Sequence, residues 1–224
     1  MNLTRTPRVK ICCIGSVEEA AVAVECGASA LGLVSHMPSG PGVISEERIA
    51  EIAATVPPAI GTFLLTSRQN VPDIIEQQRF CRTNTIQICD HLALGTHRDL
   101  RDALPGISLV QVIHVTGPES VEQAVQIAPH VDAILLDSGN QKLAVKVLGG
   151  TGRTHDWTLS RTIREHIEIP LFLAGGLTPD NVGQAIEEVG PFALDVCSGV
   201  RSDGALDASK LKRFFAAVRY AGQF

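Results

Sequence analysis

Eight times along this chain a short run rich in β-branched residues gives way to a longer segment of helical period, and this alternation restricts the possible folds more than any other feature. The series opens with a strand over Arg8 to Ile14, a helix over Val17 to Cys26 and a strand over Ala30 to Ser35. It continues with a helix at Glu46 to Thr55, a strand at Ala59 to Leu64, a helix at Val71 to Phe80 and a strand at Thr85 to Cys89. A short helix at His97 to Ala103 precedes a strand at Ser108 to His114, a helix at Pro118 to Ala128 and the apolar run Ala133 to Leu136. Such a run suits a parallel strand covered on both faces. The spacing then predicts a helix at Trp157 to His166, a strand at Leu171 to Ala174, a helix opened by Thr178 as cap and Pro179 as first residue, a strand at Phe192 to Val196, and a closing helix at Ala208 to Tyr220. Eight units in 224 residues predict one α/β domain over 1–224, a closed (β/α)₈ TIM barrel of parallel strands. An open doubly wound sheet, the alternative, more often stops at about five or six strands.

With 24 acidic and 19 basic residues, a net charge of −5 and no block of like charges, the chain is not expected to bind nucleic acid. No segment approaches the roughly 20 apolar residues of a membrane helix, so no membrane partner and a cytoplasmic location are expected. Most of the six cysteines fall within predicted strands or helices, a pattern unlike a disulfide framework. Cys12 and Cys13, as strand neighbours, should point to opposite faces. Neither the cysteines nor the seven histidines have metal-ligand spacing, and most histidines are expected in solvent.

In a barrel, chemistry sits at the carboxyl ends of the strands. Three glycine-containing segments fall there in consecutive units: Gly149-Gly150-Thr151-Gly152, Gly175-Gly176-Leu177 and Ser198-Gly199-Val200. Glycine lets backbone N–H groups approach a phosphate closely, so a cradle for a phosphosugar is expected from Gly150, Thr151, Gly152, Gly175, Gly176, Ser198 and Gly199. Cys12 ends the first strand and Asp137 the sixth, which makes them candidates for an acid–base pair across the barrel mouth. A thiol removes a carbon-bound proton only as a thiolate, and Lys10, two residues earlier on the same face, supplies positive charge and is also expected to bind the phosphosugar. Asp195, near the end of the eighth strand, either supports a neighbouring strand or binds substrate hydroxyls.

Together, Val9-Lys10-Ile11-Cys12, Ile134-Leu135-Leu136-Asp137-Ser138, Gly149-Gly150-Thr151-Gly152, Asp156-Trp157, the run from Phe172 to Val182 and Asp195-Val196-Cys197-Ser198-Gly199-Val200 resemble the phosphoribosylanthranilate isomerase family. The resemblance is strongest from Asp132 to Val200. It implies an Amadori rearrangement in tryptophan biosynthesis, without cofactor or metal, with Cys12 as general base and Asp137 as general acid. It also implies a small phosphosugar substrate. Barrels of this size occur as monomers and as dimers, so the sequence leaves monomer or homodimer open. Three positions depart from the family pattern. Cys13 stands where glycine is usual, Gln87-Ile88-Cys89-Asp90 replaces a Gln-Leu-His-Gly segment, and Gly42 lies at or near an arginine that pairs with the anthranilate carboxylate. Lys142, Lys146 and Arg153 are candidate substitutes for that arginine. These departures leave open a diverged barrel acting on another phosphoribosyl amine, or a non-catalytic phosphosugar binder.

Overall fold

The computed structural model describes residues 6–139, 148, 152 and 154–222. Eight parallel strands close on themselves in chain order: β1 (Arg8–Ile11), β2 (Ala30–Val34), β3 (Gly61–Thr66), β4 (Thr85–Ile88), β5 (Ser108–His114), β6 (Ala133–Asp137), β7 (Leu171–Leu173) and β8 (Ala193–Val196). The helices between and after them are α1 (Val17–Glu25), α2 (Glu46–Thr55), α3 (Val71–Cys81), α4 (His97–Ala103), α5 (Glu119–Ile127), α6 (Trp157–His166), α7 (Val182–Val189) and α8 (Ala208–Ala221). The expected barrel is therefore the observed one. Closure runs through the β1–β8 seam, where Arg8 pairs with Ala193 and Lys10 with Asp195.

Strand alternation divides the buried residues into two layers. Ile11, Leu31, Leu33, Leu64, Ile86, Ile88, Leu136 and Leu194 share one cluster with helix residues such as Ile49, Ile74, Leu100, Ile163 and Phe214. The alternate set, including Ala30, Phe63, Leu65, Val110, Val112, Leu135, Phe172 and Ala193, forms a second cluster and fills the barrel itself. Phe63 and Phe172 meet there at 5.7 Å between ring centroids. Small inward residues on β2, β6 and β8 give these rings space. Each fully buried Leu, Ile or Phe contributes roughly 1.5–3 kcal/mol by leaving water.

Several boundaries differ from the sequence expectation. β1 stops at Ile11 because Cys13 adopts a left-handed backbone, φ 62°, which no strand tolerates. Cys12 and Cys13 consequently lie in the turn after the strand, and both are buried. β3 begins two residues later than expected, since Ile60 N–H donates to the Pro57 carbonyl in a turn and the buried Thr66 extends the strand at its far end. The helix expected to start with Thr178 as cap starts instead at Val182. Thr178 and Pro179 belong to a preceding turn in which Thr178 N–H donates to Asn181 Oδ1 at 2.8 Å and Asn181 Nδ2 donates to the Gly176 carbonyl at 2.9 Å. A two-stranded hairpin, β9 (Arg201–Ser202) and β10 (Ala205–Leu206), follows β8 and was not anticipated. Glu19 of α1 anchors it by accepting from Arg201 Nη1 at 2.9 Å and from Leu206 N–H at 3.0 Å.

No helix among the described residues is long and apolar enough to cross a membrane.

Candidate active site

Parallel closure puts every strand's carboxyl end on one rim, and there a cleft opens into the barrel. Its lining includes Cys12 from the end of β1, Asp137 from β6, Asp195 from β8, and Gly152, Gly175, Gly176 and Ser198 from the loops after β6, β7 and β8. Seven of the sequence candidates thus converge on a single concavity. Gly150 and Thr151, and the cationic candidates Lys142, Lys146 and Arg153, lie outside the described residues. Gly199 sits one residue past Ser198 in a short 3₁₀ turn at Ser198–Val200. A Cβ at Gly199 would overlap the Leu177 carbonyl, so the turns after β7 and β8 touch backbone to backbone.

Lys10 does not reach the cleft surface. It is 0% exposed and lies beneath Cys12, with Nζ 2.8 Å from Asp195 Oδ2 and 3.7 Å from Cys12 Sγ. Burial pushes this ammonium toward neutrality, but the Asp195 carboxylate and its hydrogen bond outweigh that, so its pKa lies above the usual lysine value. The pair fits here because β2 carries Gly32 opposite. A Cβ on Gly32 would come within 2.9 Å of Cys12 Sγ and 3.0 Å of Lys10 Nζ.

Asp137 terminates an apolar strand and is only 8% exposed. Loss of water pushes its carboxyl group up to about 6, against the hydrogen bonds it accepts from Ser138 N–H at 2.7 Å and Ser138 Oγ at 3.4 Å; the nearby Asp195 charge adds to the rise. The group therefore holds its proton in weakly acidic solution, where an ordinary aspartate has lost it.

Two buried acceptors have no hydrogen-bond partner among the described residues although their side chains line the cleft: Gln87 Oε1 and Asp195 Oδ1. Gln87 and Cys89 were missed as site residues. A polar Gln at an inward position of an otherwise apolar strand, two residues before a Cys on the same face, was the available signal. His114, at the end of β5, is buried with Nε2 3.0 Å from the Cys89 carbonyl. Val34, Met37, Pro41, Leu65 and Leu148 supply an apolar side to the cleft.

The family model for N-(5'-phosphoribosyl)anthranilate isomerase matches residues 9–217. The chain belongs to the N-(5'-phosphoribosyl)anthranilate isomerase family. A member from Haloferax volcanii is 35% identical over 216 residues, covering 96% of this chain and 94% of the relative. One from Methanocella arvoryzae is 32% identical over 208 residues, covering 93% and 95%. Among solved structures, phosphoribosylanthranilate isomerase from Thermotoga maritima superposes with a TM-score of 0.80 at 30% identity, covering 96% of this chain and 99% of that one. A phosphoribosylanthranilate isomerase in complex with reduced 1-(o-carboxyphenylamino)-1-deoxyribulose 5-phosphate gives 0.77 at 29% identity with the same coverage.

For a phosphoribosylanthranilate isomerase of tryptophan biosynthesis, two of the departures are coupled. Gly42 has φ 79°, and a Cβ there would overlap Cβ of Cys13 and fall 2.9 Å from its Sγ. With Cys13 in place, residue 42 has room for glycine alone. The extra thiol thus fills the space that any side chain at residue 42 would enter.

Proposed function

We propose that Cys12 and Asp137 carry the Amadori rearrangement of N-(5'-phosphoribosyl)anthranilate in this barrel, as base and acid respectively. The observation that supports this most is that both side chains line one cleft, with Asp137 held toward its protonated form. Asp137 gives its proton to the furanose ring oxygen as the C1–O bond breaks, and the anilino nitrogen lone pair forms the iminium. Cys12 then takes the proton from C2. The C2–H electrons become the C1=C2 bond, the iminium electrons return to nitrogen, and the enolamine tautomerises to the ketone. An ammonium 3.7 Å from the sulfur stabilises negative charge there while the thiolate waits for its proton.

The phosphate lies against the turns carrying Gly152, Gly175, Gly176, Ser198 and Gly199. Gly152, Gly175 and Gly176 all have positive φ, a backbone shape in which successive N–H groups converge on an anion. The orphaned oxygens of Gln87 and Asp195 accept sugar hydroxyls, which removes the cost of burying them unpaired. The apolar side of Val34, Met37, Leu65 and Leu148 takes the aromatic ring. This reading takes residues 1–224 as one domain of a cytoplasmic enzyme working as a monomer or homodimer without cofactor.

The test is direct. Purified protein mixed with N-(5'-phosphoribosyl)anthranilate should abolish the fluorescence of the substrate with saturable kinetics. A preparation that binds ribose 5-phosphate by calorimetry yet leaves that fluorescence unchanged would replace the isomerase reading by that of a phosphosugar binder.

A further inference from the structure

Beside the proposed catalytic thiol lies a second pair of cysteines that the rearrangement does not use. Cys13 follows β1 and Cys197 follows β8, so 184 residues separate them in sequence, yet their Sγ atoms lie 2.9 Å apart. A covalent S–S bond is about 2.05 Å, so a movement of less than an ångström would join them. Both side chains line the main cleft, and both also line an adjoining cavity with Pro41, Gly42, Ser198 and Arg201, which offers a small solute a route to the sulfurs.

We infer that Cys13 and Cys197 are a modification site, a dithiol that closes to a disulfide on reaction with a peroxide and thereby switches the neighbouring catalytic cleft off. The two sulfurs are not equivalent. Hydrogen bonding with Cys12 and Cys197 and loss of water hold Cys13 as the thiol, whereas at Cys197 the hydrogen bond shared with Cys13 and the nearby Arg201 charge outweigh loss of water and favour the thiolate. Cys197 therefore attacks. Its sulfur takes one oxygen of hydrogen peroxide and hydroxide leaves, giving a sulfenic acid. Cys13 then displaces that hydroxyl, forming the S–S bond and releasing water once its own proton is counted. Two thiols lose two electrons and one peroxide becomes two waters.

The consequence for the cleft follows from position. Cys13 is bonded to Cys12, and its carbonyl accepts from Arg201 Nη2; Cys197 is bonded to Ser198 of the anion cradle. Drawing the sulfurs together displaces the chain on both sides of the substrate. Misplacement of a reacting group by about 1 Å costs up to the order of 10²-fold in rate.

The experiment treats the reduced, full-length protein with hydrogen peroxide, blocks remaining thiols and digests with trypsin. The expected product joins segment 11–48 to segment 165–201, with fragmentation placing the link at Cys13 and Cys197. The kcat/KM should fall at least about tenfold as that product forms and return with dithiothreitol. The C13G and C197S variants, each compared with itself before and after peroxide, should lose this reversible phase. The mass measurement stands whether or not the catalytic reading holds. A link between Cys12 and Cys13, peroxide treatment that leaves Cys13 and Cys197 alkylatable, or a reversible loss of activity that persists in both variants would overturn the inference.

Discussion

A carboxyl group that ends an apolar strand is costly to ionise, and Asp137 carries that cost into the thermodynamics of the fold. Its pKa rises from 3.8 to about 6 on folding, so the folded state holds the proton more tightly than the unfolded chain. The sign follows: the contribution is fully present below pH 3.8 and is lost as pH rises through about 6. Above that, the ionised group costs roughly 3 kcal/mol. D137N keeps an acceptor for Ser138 and cannot ionise. It should therefore be more stable than the parent at pH 7.5 by up to that amount, with the advantage vanishing near pH 4, as urea denaturation across pH would show. Equal stability at pH 7.5 would mean that the carboxylate is better solvated than its burial indicates.

At the scale of elements, apolar periodicity made the eight strands and eight helices legible, because parallel strands and amphipathic helices leave strong patterns. What periodicity could not show was backbone sign. Nothing in the composition of Ile11-Cys12-Cys13-Ile14 announces that Cys13 turns left-handed, and the same blindness hid the turn over Thr178 and Pro179, which the Asn181 side chain organises together with the Thr178 hydroxyl that accepts from Asp180 N–H at 3.3 Å. The candidate site was readable because strand ends are; Gln87 escaped because its significance lies in an unpaired oxygen that only packing creates. The contact between the turns after β1 and β2 yields a prediction. G42A should cost about 1–3 kcal/mol, from strain at positive φ and overlap with Cys13. In the C13G background the cost should shrink by at least about 0.5 kcal/mol, the coupling expected of residues in contact. Additive effects in a double-mutant cycle would separate the two positions.

For the whole molecule, closure of the barrel and assembly of the site depend on the same seam. Lys10 and Asp195 are register partners across β1 and β8, and their ion pair is buried beneath the cleft floor, where only Asp195 reaches the lining. Replacing Lys10 by Met keeps the packing volume but leaves the carboxylate without its cation, at a cost of about 3–5 kcal/mol. Thermal unfolding of K10M should show that loss, and K10M/D195L should recover much of it; an unchanged midpoint in K10M would place the pair outside the stabilising framework. The same closure brings a sulfur from the turn after the first strand and a carboxyl group from the sixth strand to one cleft, and the proposed function rests on that meeting. The most direct measurement is kcat/KM for N-(5'-phosphoribosyl)anthranilate in C12A, D137N and the double variant. If the two groups act as a unit, each single variant should lose on the order of 10³-fold or more, and the double variant little beyond the worse of the two. Either single variant retaining the parent rate would contradict the assignment of that residue.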